Sequence, residues 1–180
     1  MRDRVLPLGD PRLREVALPV DLRDAALADE RRRLHAALAE FRARHGFGRA
    51  IAAPQLALGK RMIAADLGAG AFTLHNPEIV WRSDESLTLW DDCMCFPDLL
   101  VRVRRSASIT VRFLDEHGAR QTMEQLDART AELLQHEIDH LDGILAVDRA
   151  EGRDAVIARE AFALNPALFR GQVDLPPALY

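Results

Sequence analysis

In the segment His136-Glu137-Ile138-Asp139-His140, residue types and spacing point most directly to chemistry. On a helix, residues four apart share a face, so both imidazoles can reach one cation. Glu137 lies beside the first of them. A divalent cation brings the pKa of a bound water towards ~7, and the Glu137 carboxylate can take its proton and later deliver it to a leaving amine. The same spacing also occurs on helices whose histidines are ordinary surface residues. A catalytic centre needs a third protein ligand and an open position. His35, His45, His75, His117, Cys93, Cys95 and several carboxylates are candidates. On an extended strand Cys93 and Cys95 point to the same face, so spacing leaves both thiols open as the third ligand. The alternative for either is a small buried apolar residue.

These side chains need elements to hold them. The apolar spacing of Leu133, Leu134, Ile138 and Leu141 predicts a helix from about Asp127 to Asp142, stopped at Gly143. A first amphipathic helix is expected from about Asp21 to His45, ended by the glycines of His45-Gly46-Phe47-Gly48. Arg61 to Asp66 reads as a strand. Phe72–Leu74 and Glu78–Trp81 flank a turn-like Asn76-Pro77, and Leu87–Trp90 leads into the cysteines. Val101 to Val111 alternates as half-buried strands do, and Asp115-Glu116-His117-Gly118 reads as a hairpin turn. A short helix near Ala155–Leu164 is expected, with little order after it. Strands followed by a central helix indicate an α+β fold.

The 180 residues carry 48% apolar side chains and a formal net charge of -4. One domain with a proper core is expected, and nothing indicates a general nucleic-acid binder. Arg31-Arg32-Arg33 reads as a solvated helix face. No apolar stretch suits a signal peptide or membrane span, so a cytoplasmic location is expected. Two cysteines this close along the chain suit metal or redox chemistry better than a disulfide.

Three segments occur in order: Gly48-Arg49-Ala50-Ile51-Ala52-Ala53-Pro54-Gln55, Asp91-Asp92-Cys93-Met94-Cys95 and Gln135-His136-Glu137-Ile138-Asp139-His140. They resemble the three motifs of the peptide deformylase family: Gly-x-Gly-Leu-Ala-Ala-Pro-Gln, Glu-Gly-Cys-Leu-Ser and Gln-His-Glu-x-Asp-His. Asp10-Pro11-Arg12-Leu13-Arg14 with Pro19-Val20, Leu74-His75-Asn76-Pro77-Glu78-Ile79, and Leu141-Asp142-Gly143-Ile144-Leu145 with Asp148-Arg149 extend the resemblance. It implies small antiparallel sheets around a central helix carrying the two histidines, with residues 1–150 as the catalytic domain and 151–180 as a divergent tail of the same domain. It selects Cys93, with His136 and His140, as ligands of one divalent ion. Iron(II) is the native ion implied, with zinc or nickel as substitutes. Glu137 would transfer the proton, while Gln55 and the Met94 N–H would hold the developing oxyanion. The implied reaction removes an N-formyl group, releasing formate and a free amine, from N-formylmethionyl peptides of new protein chains. A transient ribosome association follows, with no membrane and no direct nucleic-acid partner.

The departures from the motifs are as informative as the matches. The substrate pocket implied by the resemblance comprises Gly48, Arg49, Ala50, Ile51, Asp91, Arg129, Glu132 and Leu133. Where the family is apolar, Arg49, Arg129 and Glu132 bring charges. Either they pair with each other or they meet a polar substrate, since burying them unpaired is costly. An Arg129–Glu132 surface pair at helical spacing is worth ~0.2–0.5 kcal/mol. Asp91 replaces a glutamate and can still hold an arginine such as Arg105. Asp92 replaces a glycine and adds a carboxylate near the metal, and Cys95 adds a thiol. Two alternatives accompany the deformylase reading. One is an enzyme with a remodelled pocket for a non-methionine or small N-formyl amine substrate. The other is a non-catalytic metal-binding family member.

Overall fold

The computed structural model of the chain describes residues 4–176. Two antiparallel sheets and one buried helix organise them. The elements are α1 (Leu27–His45), β1 (Ala50–Ala52), β2 (Met62–Asp66), β3 (Ala71–Arg82), β4 (Ser86–Asp91), β5 (Leu99–Ser106), β6 (Ile109–Leu114), β7 (Arg120–Met123), α2 (Ala128–Leu141), β8 (Val156–Ala158), α3 (Arg159–Leu164) and α4 (Pro166–Arg170). One sheet has the order β1-β2-β3-β6-β7 and the other β4-β5-β8. The α+β class, with small antiparallel sheets around a helix bearing both histidines, is therefore the architecture observed.

Helix α2 lies between the two sheets. Asp127 caps its start, accepting from the N–H groups of Arg129 and Thr130 at 2.9 and 3.1 Å. Leu133, Leu134, Ile138 and Leu141 pack with Ala52, Ile63, Leu74, Ile109 and Val111 of the larger sheet. Every residue from Ala131 to Leu141 is buried, the polar ones included. A helix buried on all sides is usually apolar all round. Here Glu132, Gln135 and Asp139 are hydrogen-bonded to Arg49, Ser106 and Arg105, which is what makes their burial tolerable. Helix α1 covers the opposite face of β1 and β2 through Leu34, Leu38 and Phe41, which pack with Ile51, Met62 and Met94.

Four local expectations are corrected. Helix α1 begins at Leu27, not Asp21, because Asp21 and Asp24 accept from the N–H groups of Arg23 and Ala26 two residues on and hold turns. Asn76-Pro77 is no turn between strands. It is an irregularity inside the single strand β3, where the register against β6 shifts between His75 and Glu78. Asn76 adopts φ +50°, its side chain pairs with both backbone groups of Val20, and the shift accommodates a proline that cannot donate. Residues 156–158 form β8 against β5 before the short helix begins at Arg159. Finally, the chain beyond Leu164 is ordered as α4, followed by a bridge from Leu175 to Leu89; residues 177–180 lie outside the described residues.

Gly143 ends α2 with φ +72°, and a Cβ there would stand 2.5 Å from the carbonyl oxygen of Arg14. Backbone on both sides leaves no flexible atom to move. Gly143→Ala is therefore expected to lower the unfolding free energy by about 2–4 kcal/mol, from left-handed strain plus overpacking. Urea denaturation measures it, and a loss within experimental error would refute the account.

Candidate active site

Cys93 lies just beyond the end of β4, while His136, Glu137 and His140 lie on α2; Asp91, the last residue of β4, reaches His136. Cys93 Sγ is 3.3 Å from His140 Nε2. The ligand atoms of Cys93, Cys95 and His140 all lie within 4.8 Å of one another, and all three residues are buried. The His136 ring faces that of His140 at a centroid separation of 4.9 Å, although His136 is not a member of the tightest donor cluster. Thiol sulfurs and an imidazole nitrogen converging in a buried place form a donor set that suits zinc and iron(II) alike. The buried Glu137 Oε2 there has no hydrogen-bond partner among the described residues. Buried polar atoms without partners require a reason, and a group that belongs at the site supplies one.

Gln55 sits in the turn after β1. Its Oε1 accepts from the Ala52 N–H at 2.8 Å, which commits the amide orientation. The NH2 end therefore points at the two sulfurs, 3.7 Å from Cys93 and 3.5 Å from Cys95. Met94 is buried beside the glycine-rich turn, with its sulfur near the position a Gly48 Cβ would take. Gly48, Arg49, Ala50, Cys93, Met94, Leu133, His136 and Glu137 line a cleft of only about 20 Å³. That is room for about one water-sized group.

Behind the histidines runs a charged chain. Asp91 Oδ1 stands 2.9 Å from His136 Nδ1. Arg105 donates to the other Asp91 oxygen at 2.7 and 3.2 Å and to Asp139 at 2.9 Å. Arg149 closes the chain with two 2.6 Å hydrogen bonds to Asp139. The expected Asp91–Arg105 contact is thus present, at 3% exposure or less for both side chains. Asp139 and Arg149 belong to the motifs, but the sequence alone does not show that Asp139 joins Arg149 to Arg105. An aspartate inside a helix that is otherwise buried was the available signal.

The charges fall out accordingly. Burial opposes ionisation of Asp91, but His136 and Arg105 hold its carboxyl well below the usual range. Burial likewise opposes a charge on His136, yet Asp91 outweighs it and raises the ring to about 9. Burial, helped by the neighbouring His136 charge, keeps His140 neutral well below its ordinary value, so its lone pair is available. Burial pushes the Cys93 thiol up and lifts the Glu137 carboxyl to about 7 against the pull of His136. A carboxyl poised near neutrality is suited to proton transfer.

The pocket charges are arranged differently from the expected Arg129–Glu132 pair. Glu132 is buried and paired with Arg49, whose other nitrogen donates to the Arg129 carbonyl at 3.0 Å. Arg129 donates to the Pro176 carbonyl at 2.9 Å. Asp92 does not bring an unpaired charge to the sulfurs, because Arg159 engages it at 3.0 Å. Ile51 is fully buried in the core under α1 and does not line the cleft. No helix among the described residues is long and apolar enough to cross a membrane.

Comparison with known proteins places the chain in a family. The family described as polypeptide deformylase matches residues 3–156. A peptide deformylase of Thermotoga neapolitana is 34% identical over 157 residues, covering 87% of this chain and 92% of the relative. The crystal structure of a peptide deformylase from Thermotoga maritima superposes with a TM-score of 0.76 at 32% identity, covering 84% of this chain and 99% of that one. A Met-Ala-Ser-bound class I type b peptide deformylase from Acinetobacter baumannii superposes with a TM-score of 0.73 at 29% identity, covering 83% and 98% respectively.

Proposed function

The chain belongs to the polypeptide deformylase family, and on that premise we propose that it hydrolyses the N-formyl group of formylmethionyl peptides, yielding formate and a free amino terminus. The observation that carries the reading is one convergence. Cys93 Sγ lies 3.3 Å from His140 Nε2, the Gln55 amide points at that sulfur, and Glu137 is buried beside it with an unpartnered oxygen.

Cys93, His136 and His140 would hold one divalent ion, with iron(II) the proposed native metal and zinc or nickel as substitutes. Asp91 on Nδ1 of His136 leaves Nε2 as the ligating atom. When bound, the ion supplies Lewis acidity towards the formyl oxygen and acidifies water. Glu137 takes the proton of the attacking water and passes it to the departing amine, so the C–N bond breaks as the N–H bond forms. Gln55 Nε2 and the Met94 N–H donate to the formyl oxygen as it gains charge. These donors are held in place before reaction, so they need no reorganisation in the transition state. The narrow cleft beside Glu137 suits a formyl group, whose carbonyl carbon carries only hydrogen. A cytosolic location, and a transient association with ribosomes from which formylated chains emerge, go with this reading.

The remodelled-pocket alternative, as a site for charged side chains, loses its motive because Arg49 and Glu132 neutralise each other. The test is anaerobic purification with iron(II) and a formate-release assay on formyl-Met-Ala-Ser. Release is expected with the ion present, loss on chelation and recovery on adding iron(II) back. A loaded, folded protein that releases no formate would refute the proposal.

A further inference from the structure

The family match ends at residue 156, yet the chain beyond it returns to the site. Trp90 Nε1 donates to the Phe169 carbonyl at 2.8 Å, and the two rings meet edge to face at 5.7 Å. Phe162 stacks on Phe169 at 5.8 Å. Asp174 and Leu175 donate backbone N–H groups to the Thr88 carbonyl, and Asp174 accepts from the Thr88 N–H at 2.8 Å. Two of the positions that depart from the family motifs turn out to be the anchors of this segment. Asp92, in place of glycine, is gripped by Arg159. Arg129, in place of an apolar residue, is bound to Pro176. Arg159 also donates to the Pro97 carbonyl at 2.8 Å and lies 4.1 Å over the Phe47 ring.

The result is a cavity of about 330 Å³, walled by Arg159, Phe162, Leu175 and Pro176 on the tail side. It shares Phe47, Arg49, Asp91, Asp92 and Glu132 with the small cleft above Glu137. We propose that residues 157–176 form the outer wall of the pocket for the substrate's first side chain, and that this pocket takes apolar side chains bulkier than methionine's, aromatic ones included. This rests on the deformylase reading and specifies its substrate class. The carboxylates facing the cavity already have cationic partners: Glu132 has Arg49, Asp92 has Arg159, and Asp91 has Arg105 and His136. A cationic side chain would enter without an anionic partner of its own, at a desolvation cost, and the Arg129 guanidinium, which also lines the cavity, is engaged by the Pro176 carbonyl. Between the ion pairs the lining is Leu89, Trp90, Leu100 and Phe162. An unbranched thioether leaves much of such a volume without contacts, whereas a ring meets aromatic edges and guanidinium faces.

The test compares formyl-Met-Ala-Ser, formyl-Phe-Ala-Ser and formyl-Gly-Ala-Ser on the ion-loaded full chain. The phenylalanine peptide should match or exceed the methionine peptide in kcat/KM, and both should exceed the glycine peptide by about tenfold or more. Phe162→Ala and Arg129→Met, each in the full chain, should raise KM for the phenylalanine peptide by about tenfold more than kcat falls, collapsing its advantage over glycine. A chain ending at residue 158 should do the same. A preference left unchanged in Phe162→Ala and Arg129→Met overturns the proposal, whether or not the shortened chain folds. A second readout is independent of turnover. Trp90 is buried, whereas Trp81 is exposed, so in Trp81→Phe protein the Trp90 fluorescence should respond to Phe-Ala-Ser and not to Gly-Ala-Ser. No formate from any of the three peptides, together with that fluorescence response, would refute the deformylase chemistry and leave the wall standing. The same response to both peptides would refute the wall.

Discussion

Glu137→Ala is expected to lower kcat for formate release by about 10²–10⁴-fold, the range for loss of a positioned acid–base group, while ion content stays at the wild-type level. Glu137 is buried on α2 with one oxygen unpartnered, and it is not among the three residues proposed to hold the ion. Its removal therefore deletes the proton carrier and leaves the ligands. Elemental analysis beside a formate assay separates the two. Loss of the ion in parallel with activity would recast Glu137 as structural, and retained activity would remove it from the mechanism. The pH profile gives a second check. The carboxyl lies near 7 without the ion, and a bound cation lowers it. Only the carboxylate accepts a proton, so kcat/KM should fall as pH drops through that lowered value, with the acid limb below 7.

The second large effect belongs to Asp91→Ala. Asp91 holds His136 on one oxygen and Arg105 on the other. Without it, a buried guanidinium keeps only Asp139, and His136 loses the group that sets its orientation. Breaking a buried pair by removing one partner costs about 3–5 kcal/mol of stability, and losing an outer partner of a ligating histidine costs about 10–100-fold in ion affinity. Chemical denaturation and zinc titration calorimetry read the two quantities. Asp91→Glu, which restores the residue type of the family motif, should recover most of both. A stable, tightly ion-binding Asp91→Ala protein would show that the Asp91–Arg105–Asp139 chain is dispensable.

The legibility of each feature follows from the range of the forces that make it. Helix α2 could be read from apolar spacing, and its start at Asp127 from a local cap. The hairpin at Asp115–Gly118 could be read because Gly118 adopts φ +82° where that turn requires it. The start of α1 was missed by several residues because two aspartates compete with the helix locally. The turn expected at Asn76-Pro77 does not interrupt the strand, because the neighbouring strand and Val20 absorb the irregularity. The order beyond Leu164 was not legible, since its short helices hold only through Trp90 and Thr88, far away in the chain.

The site divides in the same way. By itself the sequence determined the chemical inventory: an imidazole pair one helical turn apart, a carboxylate beside it, two thiols, and a glutamine after Ala-Ala-Pro. Covalent spacing and helix pitch carry that information. Which groups face one another was decided only by tertiary structure. Glu132 was expected to meet Arg129 and meets Arg49, Asp92 meets Arg159, and Cys95 joins Cys93 and His140. A buried charge takes whichever partner packing brings within reach, because the penalty for remaining unpaired exceeds any local preference of the chain.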